Sequence, residues 1–322
     1  MAPIAFIHRL SVAEQRQWLA LLQQLLPNQV ILLPEMMSAE QVQATTVAIV
    51  ANPNPADLVP FSNLLWVQSV WAGVEGLVSA LQDRRATQAA GQGAIKLVRL
   101  TDPQLAQTMA EAVLAWTLYL HRNMPEYAAQ QARKQWSPLP CAVASEVHVA
   151  VLGAGELGVS AIRSLLQHGY KVSCWSRSAK HLEGVTCYHG LTQLPKLLQS
   201  VDILVNLLPL TVETEGLLNA SLLKQLPRGA KLINFSRGAV INATDLIKLL
   251  DSGHIGHAVL DVFTSEPLVA TSPLWTHPKI SILPHISAPT NVDSAARIVA
   301  ANIAVYQNTG VIPPTVNLER GY

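Results

Sequence analysis

Val147-His148-Val149-Ala150-Val151-Leu152-Gly153-Ala154-Gly155-Glu156-Leu157-Gly158 is the stretch that decides the fold. Its first half reads as a buried strand, and its Gly-x-Gly-x-x-Gly half as a tight turn that opens a helix. That arrangement binds the pyrophosphate of a dinucleotide. Gly153 permits the turn, Gly155 lets the backbone approach the phosphates, and Gly158 lets the helix pack close to the strand. The helix N-terminus then faces the negative charge. Leu157, Ala161, Ile162, Leu165 and Leu166 fall on one helical face, and Gly169 is placed to stop the helix. Tyr170-Lys171-Val172-Ser173-Cys174-Trp175 reads as the next strand and completes a β-α-β unit.

The end of that second strand distinguishes the two nicotinamide cofactors. An NAD site usually places Asp or Glu there, to accept from the ribose 2′-hydroxyl. Here the chain reads Ser176-Arg177-Ser178, with Lys180 close behind and no acid before Glu183. A carboxylate would repel a 2′-phosphate, whereas a guanidinium pairs with it bidentately. NADP(H) is therefore the expected cofactor, with NADH possible but less favoured.

Downstream, apolar strands recur at residues 201–207, 231–235, 257–262 and 280–283, with helical segments between most of them. Residues 242–253 form a well-marked helix, with acid in the first turn and Gly253 past the end. Continuous apolar strands alternating with helices imply a doubly wound parallel sheet of the Rossmann type. The first hundred residues carry weaker strand signals at 4–7, 29–33, 47–50 and 65–70, with a helix over 11–26. They suggest a smaller, flavodoxin-like α/β domain. Thr101-Asp102-Pro103 marks a helix start, and the spacing predicts one long helix to about residue 122. An irregular arm is expected over 130–146, broken by Pro138 and Pro140.

Composition narrows the class. A chain of 322 residues suggests two domains. Net charge is +1 and charged residues are 13%, so no basic surface argues for nucleic acid. Hydrophobic residues reach 50%, which fits large buried sheets and an apolar subunit interface. The longest apolar stretch, residues 109–120, is too short for a membrane span and contains Glu111. The start of the chain lacks the pattern of a signal peptide. Cys141, Cys174 and Cys187 have no metal-ligand spacing, and their odd, sparse count suits a reducing cytoplasm.

In doubly wound sheets the ligand lies outside the carboxyl ends of the strands, so the residues after each strand carry the chemistry. They are Leu208-Pro209, then Phe235-Ser236-Arg237, then Asp261 leading to Glu266-Pro267, then His285-Ile286-Ser287. One Arg, one Glu and one His on one edge form a complete set for reducing a 2-keto acid. His285 suits the proton donor. Glu266 favours the imidazolium, and Arg237 holds the substrate carboxylate and polarises the carbonyl. The predicted cofactor contacts are Gly153, Gly155, Glu156, Leu157, Gly158, Ser176, Arg177, Ser178, Leu208, Pro209, Phe235, Ser236, Arg237, Asp261, His285 and Ser287. No metal is expected. His8, His121, His168, His254 and His277 lack such a context and read as surface or structural.

These segments, with Leu260-Asp261-Val262-Phe263-Thr264-Ser265-Glu266-Pro267-Leu268 and Asn234-Phe235-Ser236-Arg237-Gly238, resemble the D-isomer-specific 2-hydroxyacid dehydrogenase family. Cys174-Trp175-Ser176-Arg177-Ser178, Ser272-Pro273-Leu274-Trp275 and Arg320-Gly321-Tyr322 make the chain look most like its bacterial glyoxylate/hydroxypyruvate reductase A group. The resemblance implies a cofactor domain (102–287) inserted into a substrate domain (1–101 and 288–322). It implies a homodimer formed through the long helix and the arm. It also implies substrate binding by the backbone N–H groups of Ala72, Gly73 and Val74. The implied reaction is NADPH-dependent reduction of glyoxylate to glycolate and of hydroxypyruvate to D-glycerate. Trp275, with Trp71 and Trp136, is a candidate wall of a small pocket. The serine after Phe235 departs from many relatives. The alternatives are a reductase of another 2-keto acid, a phosphoglycerate-type dehydrogenase, and an NAD(P)H-sensing binding protein.

Overall fold

Strands that are apolar on both faces need a layer of helices on each side, and the chain supplies them around two parallel sheets. In the computed structural model, residues 2–87 and 94–321 are described; Tyr322, quoted above with Arg320-Gly321, lies outside them. One unit comprises Met1–Asp102 with Thr290–Tyr322, and the other is Pro103–Pro289.

The first unit runs β1 (Ile4–His8), α1 (Val12–Leu25), β2 (Ile31–Leu32), α2 (Ala39–Ala44), β3 (Val47–Ala51), β4 (Trp66–Ser69), α3 (Glu75–Thr87) and β5 (Lys96–Val98). The sheet order is β2-β1-β3-β4-β5, every pair parallel, which is the flavodoxin-like order. β5, only three residues long, has no counterpart among the strands predicted from sequence. Ser11 and Glu14 close a capping box that starts α1, and α1 buries Trp18 and Leu22 against Phe6 and Ile49.

The second unit opens with α4 (Pro103–His121). The long helix stops there because Asn123 adopts φ 55°, and α5 (Met124–Ala132) then starts with Pro125 in its first turn. Part of the arm expected to be irregular is thus helical. There follow β6 (His148–Leu152), α6 (Glu156–Gln167), β7 (Lys171–Ser176), β8 (Thr186–His189), α7 (Leu194–Leu198), β9 (Ile203–Asn206), α8 (Ala220–Leu223), β10 (Ala230–Asn234), α9 (Ala243–Asp251), β11 (Ile255–Leu260) and β12 (Ile280–Ile282). The sheet order is β12-β11-β10-β9-β6-β7-β8. β6 is the central strand where the order reverses, so the crevice at its carboxyl end is the switch point. Along β6, Val149 and Val151 enter one core layer with Ala161 and Ile162, while Ala150 and Leu152 enter the other with Leu204 and Leu232. A strand buried on both faces produces the continuous apolar run seen in the sequence.

β8 is an added edge strand, and β11 ends at Leu260, so Asp261 lies beyond the strand that was expected to contain it. The chain then returns to the first unit as α10 (Val292–Thr309), whose Ala295, Ala296, Val299 and Ile303 pack in the core with Phe6 and Trp18. Asn302 Nδ2 donates to Gln68 Oε1 at 2.8 Å, and Ser294 Oγ donates to Asp102 Oδ2 at 2.6 Å. Among the described residues, no helix is long and apolar enough to cross a membrane.

Candidate active site

The glycine turn sits at the switch point. Gly153 has φ 102°, and a Cβ there would lie 2.7 Å from the Leu207 carbonyl oxygen. A Cβ on Gly158 would collide with the Gly153 carbonyl. The turn and α6 therefore pack backbone to backbone, which only glycine permits. Gly155 is the N-cap of α6 and brings no side-chain acceptor, and a Cβ on it would meet no atom within 4 Å. The positive end of α6 thus opens on a space an anion can enter.

On the neighbouring loop, Ser176 Oγ donates to the Ser178 carbonyl at 2.8 Å, which folds the segment after β7. Arg177 Nη1 lies 3.5 Å from Glu213 Oε2, in the loop after β9. At the far side of the edge, Ser287 Oγ is buried and has no hydrogen-bond partner among the described residues. An uncapped helix end, open space at Gly155, a cation after β7 and an orphaned buried hydroxyl together fit NADP(H).

Beyond β9 and β10 the edge is held by buried amides. Asn206 Nδ2 donates to Asn234 Oδ1 at 2.9 Å and to Ser236 Oγ at 3.2 Å. Ser236 Oγ donates to the Leu208 carbonyl at 2.6 Å, and Ser236 Oγ also accepts from the Arg237 N–H. This network joins the expected cofactor loop at Leu208 and Pro209 to the loop that carries Arg237. Arg237 Nη1 donates to the Ser236 carbonyl at 2.7 Å. Gly238 follows at once, and a Cβ on it would collide with the backbone of Phe263. The Arg237 loop and the Glu266 loop therefore touch main chain to main chain.

The Glu266 carboxylate is used on both oxygens. Oε1 accepts from the Phe263 N–H at 2.8 Å, and Oε2 lies 2.7 Å from His285 Nδ1. Nδ1 is then the donor, which fixes the tautomer and ring plane. His285 Nε2 has no partner among the described residues and remains available for proton transfer. The side chains of His285 and Glu266 are 51% and 35% exposed, so the pair is reachable from outside.

His285 adopts φ 56°, in the left-handed region, which a non-glycine residue holds only when its surroundings impose it. Asp261 is what imposes it. Its carbonyl oxygen accepts from the His285 N–H at 3.0 Å. Its carboxylate accepts from the Ile286 N–H at 2.7 Å and the Ser287 N–H at 2.9 Å. Asp261 was expected to contact cofactor; at 1% exposure, its visible task is to shape the His285 loop.

Arg237, Glu266, His285, Asp261, Ser287 and the glycine turn all lie on one edge of one sheet. The loop Ala72-Gly73-Val74 belongs to the other unit, between β4 and α3, with Val74 buried. Trp71 packs edge-on to Trp18 in that unit's core. Trp136 is 98% exposed, and Trp275 is half exposed with Nε1 donating to the Val269 carbonyl at 3.1 Å. Asn206, Asn234 and Glu213 were missed by the sequence reading. A signal existed for the first two: each is a polar residue ending an otherwise apolar strand.

Residues 114–287 match the family model described as the D-isomer specific 2-hydroxyacid dehydrogenase NAD binding domain. The chain is 37% identical to glyoxylate/hydroxypyruvate reductase A of Yersinia enterocolitica, over 96% of this chain and 97% of that one. It is 36% identical to the protein of the same name from Serratia proteamaculans, over 99% of each. Among solved structures, it matches a D-isomer specific 2-hydroxyacid dehydrogenase from Xanthobacter autotrophicus Py2, in complex with NADPH and MES. The TM-score is 0.88 and identity 35%, covering 100% of this chain and 99% of that one. It also matches an NADPH-dependent glyoxylate/hydroxypyruvate reductase from Sinorhizobium meliloti in complex with NADP and sulfate, with a TM-score of 0.88 and 30% identity over 100% of each chain.

Proposed function

Since the chain belongs to the D-isomer-specific 2-hydroxyacid dehydrogenase family, we propose that it is an NADPH-dependent reductase of small 2-keto acids, converting glyoxylate to glycolate and hydroxypyruvate to D-glycerate. The observation that carries this reading is the Glu266–His285 pair at 2.7 Å on the switch-point edge that also bears Arg237. The relatives named for these two substrates span almost the whole chain.

NADPH, when bound, supplies the hydride. Arg237 holds the substrate carboxylate and draws electron density toward the carbonyl oxygen. His285 gives the proton from Nε2 to that oxygen as the hydroxyl forms. Glu266 steadies the ring through Nδ1 and keeps Nε2 in place. The backbone N–H groups of Ala72, Gly73 and Val74 are further candidates for binding the substrate carboxylate, supported by their place at the start of α3. Trp275 contributes a wall that favours acids of two or three carbons. Ser176, Arg177 and Ser178 receive the 2′-phosphate. The exposed Trp136 and Val143 of the arm suit a homodimer, and the three free cysteines suit the cytoplasm.

The test is the initial rate of loss of reduced-nicotinamide absorbance with glyoxylate, hydroxypyruvate, pyruvate and 2-ketobutyrate, each with NADPH and with NADH. Fast oxidation of NADPH by the first two is expected. Preference for NADH would remove the 2′-phosphate assignment and leave the reductase. No turnover with any acid would remove the reductase and leave a cofactor-binding protein.

A further inference from the structure

We propose that Glu213 tunes cofactor affinity by competing with the 2′-phosphate for Arg177. The inference rests on Arg177 being the 2′-phosphate anchor. The two residues come from loops that flank the central strand, since β7 and β9 are the neighbours of β6 on either side. Their side chains meet across the mouth of the crevice, with Arg177 Nη1 3.5 Å from Glu213 Oε2.

Glu213 is not on a loose loop. Thr214 Oγ1 donates to the Pro209 carbonyl at 2.6 Å, and the N–H groups of Thr211 and Glu215 bond to Thr214 Oγ1 at 2.8 Å and the Thr211 carbonyl at 2.9 Å. The turn therefore presents the carboxylate at a defined place. A 2′-phosphate that reaches Arg177 meets a guanidinium already paired to an anion, and must share or displace it. A cofactor with a plain 2′-hydroxyl has no comparable claim on the guanidinium and leaves the pair intact. Glu213 thus weakens NADP(H) binding selectively, hastens release of NADP⁺ and leaves NAD(H) untouched. Removing it should sharpen the preference for NADP(H), the opposite of what loss of an ordinary contact does.

The size of the effect follows from exposure. The Glu213 side chain is 62% exposed and that of Arg177 34%, so the competition is worth roughly a two- to fivefold factor. Calorimetric titration of the full chain with NADP⁺ and with NAD⁺ tests it, at low and high salt. E213Q preserves shape and removes charge. It should bind NADP⁺ about two- to fivefold more tightly and NAD⁺ unchanged, with the gain shrinking at high salt. R177A in the same assay should weaken NADP⁺ roughly tenfold or more and spare NAD⁺. If R177A treats both cofactors alike, the anchor assignment fails and this proposal with it. If R177A behaves as expected but E213Q leaves NADP⁺ unchanged, weakens it, or shifts both cofactors equally, the anchor stands and the role of Glu213 is overturned.

Discussion

The two ends of the seven-stranded sheet both carry histidines and cations, and they use them in opposite ways. At the amino end, two lysines and two histidines are bonded within the protein. Lys231 Nζ donates to the Leu120 carbonyl at the end of α4 and to Asn123 Oδ1 at 3.2 Å, with Glu126 at 3.8 Å. Lys279 Nζ donates to the Leu250 carbonyl at 2.6 Å in the last turn of α9. His148 bonds through both ring nitrogens, to the Ser200 carbonyl and to Ser173 Oγ, each at 2.8 Å. His257 is 5% exposed and bonds Ser281 Oγ at 3.0 Å. At the carboxyl end, His285 is partnered on Nδ1 only, is half exposed, and is held in a left-handed conformation by a buried aspartate. Residue type does not separate a structural histidine from a working one. A nitrogen left facing outward on a main chain that must be held in place does.

The contrast is broken most directly at His285. H285A should lower kcat by about 10²–10⁴-fold, the range for loss of a positioned proton donor. It should leave the affinity for NADP⁺ and the melting temperature near those of the parent, because the ring supports no core. A variant that kept near-normal kcat would end the assignment of Nε2 as proton source. A variant that lost several degrees of melting temperature would place His285 with the structural histidines instead. E266Q is milder, because the amide oxygen can still accept from Nδ1 but holds the ring less firmly than a carboxylate. Roughly a 10- to 100-fold fall in kcat is expected, with NADP⁺ affinity and melting temperature unchanged, which a purely structural role would not produce.

The sheet unit was legible because its physics is local. Strands buried on both faces leave unbroken apolar runs, and the glycine turn has a fixed spacing that backbone contact enforces. The residues after those strands then follow from the rule that ligands lie at the carboxyl ends. β8 escaped because an edge strand with a half-exposed pattern need not be apolar. α5 escaped because its start depends on the left-handed Asn123, which no periodicity announces. Glu213 escaped because its partner Arg177 is close only through the strand order, which places β6 between β7 and β9. Asp261 was found for its position, but its hold on the His285 loop was not, since its two amide donors come from the loop after a different strand. Pairings between strand ends are decided by topology, and topology is written in the sequence only coarsely.

The smallest effect sharpens the other end of the comparison. Burial, with Lys231 and His277 nearby, pushes His257 down from 6.5 to about 4. Above pH 6.5 neither the folded nor the unfolded chain holds a proton there, and the residue contributes nothing to pH dependence. Between pH 6.5 and 4 the unfolded chain takes up a proton that the folded chain refuses, so stability falls as the pH falls. Below pH 4 both states are protonated and the loss is constant. Between pH 7.5 and pH 5 the loss from this residue amounts to roughly 2 kcal/mol. H257Q has no such proton to refuse. Its melting temperature at neutral pH should be slightly below the parent's, through the altered bond to Ser281, but the gap should close or reverse by pH 5. Parallel melting curves for the two proteins across that range would mean that His257 is protonated in place, and that the amino end of the sheet is more open to water than the burial of His257 implies. Turnover per folded molecule should be unchanged at every pH, because nothing at that end touches the edge where His285 and Glu266 meet.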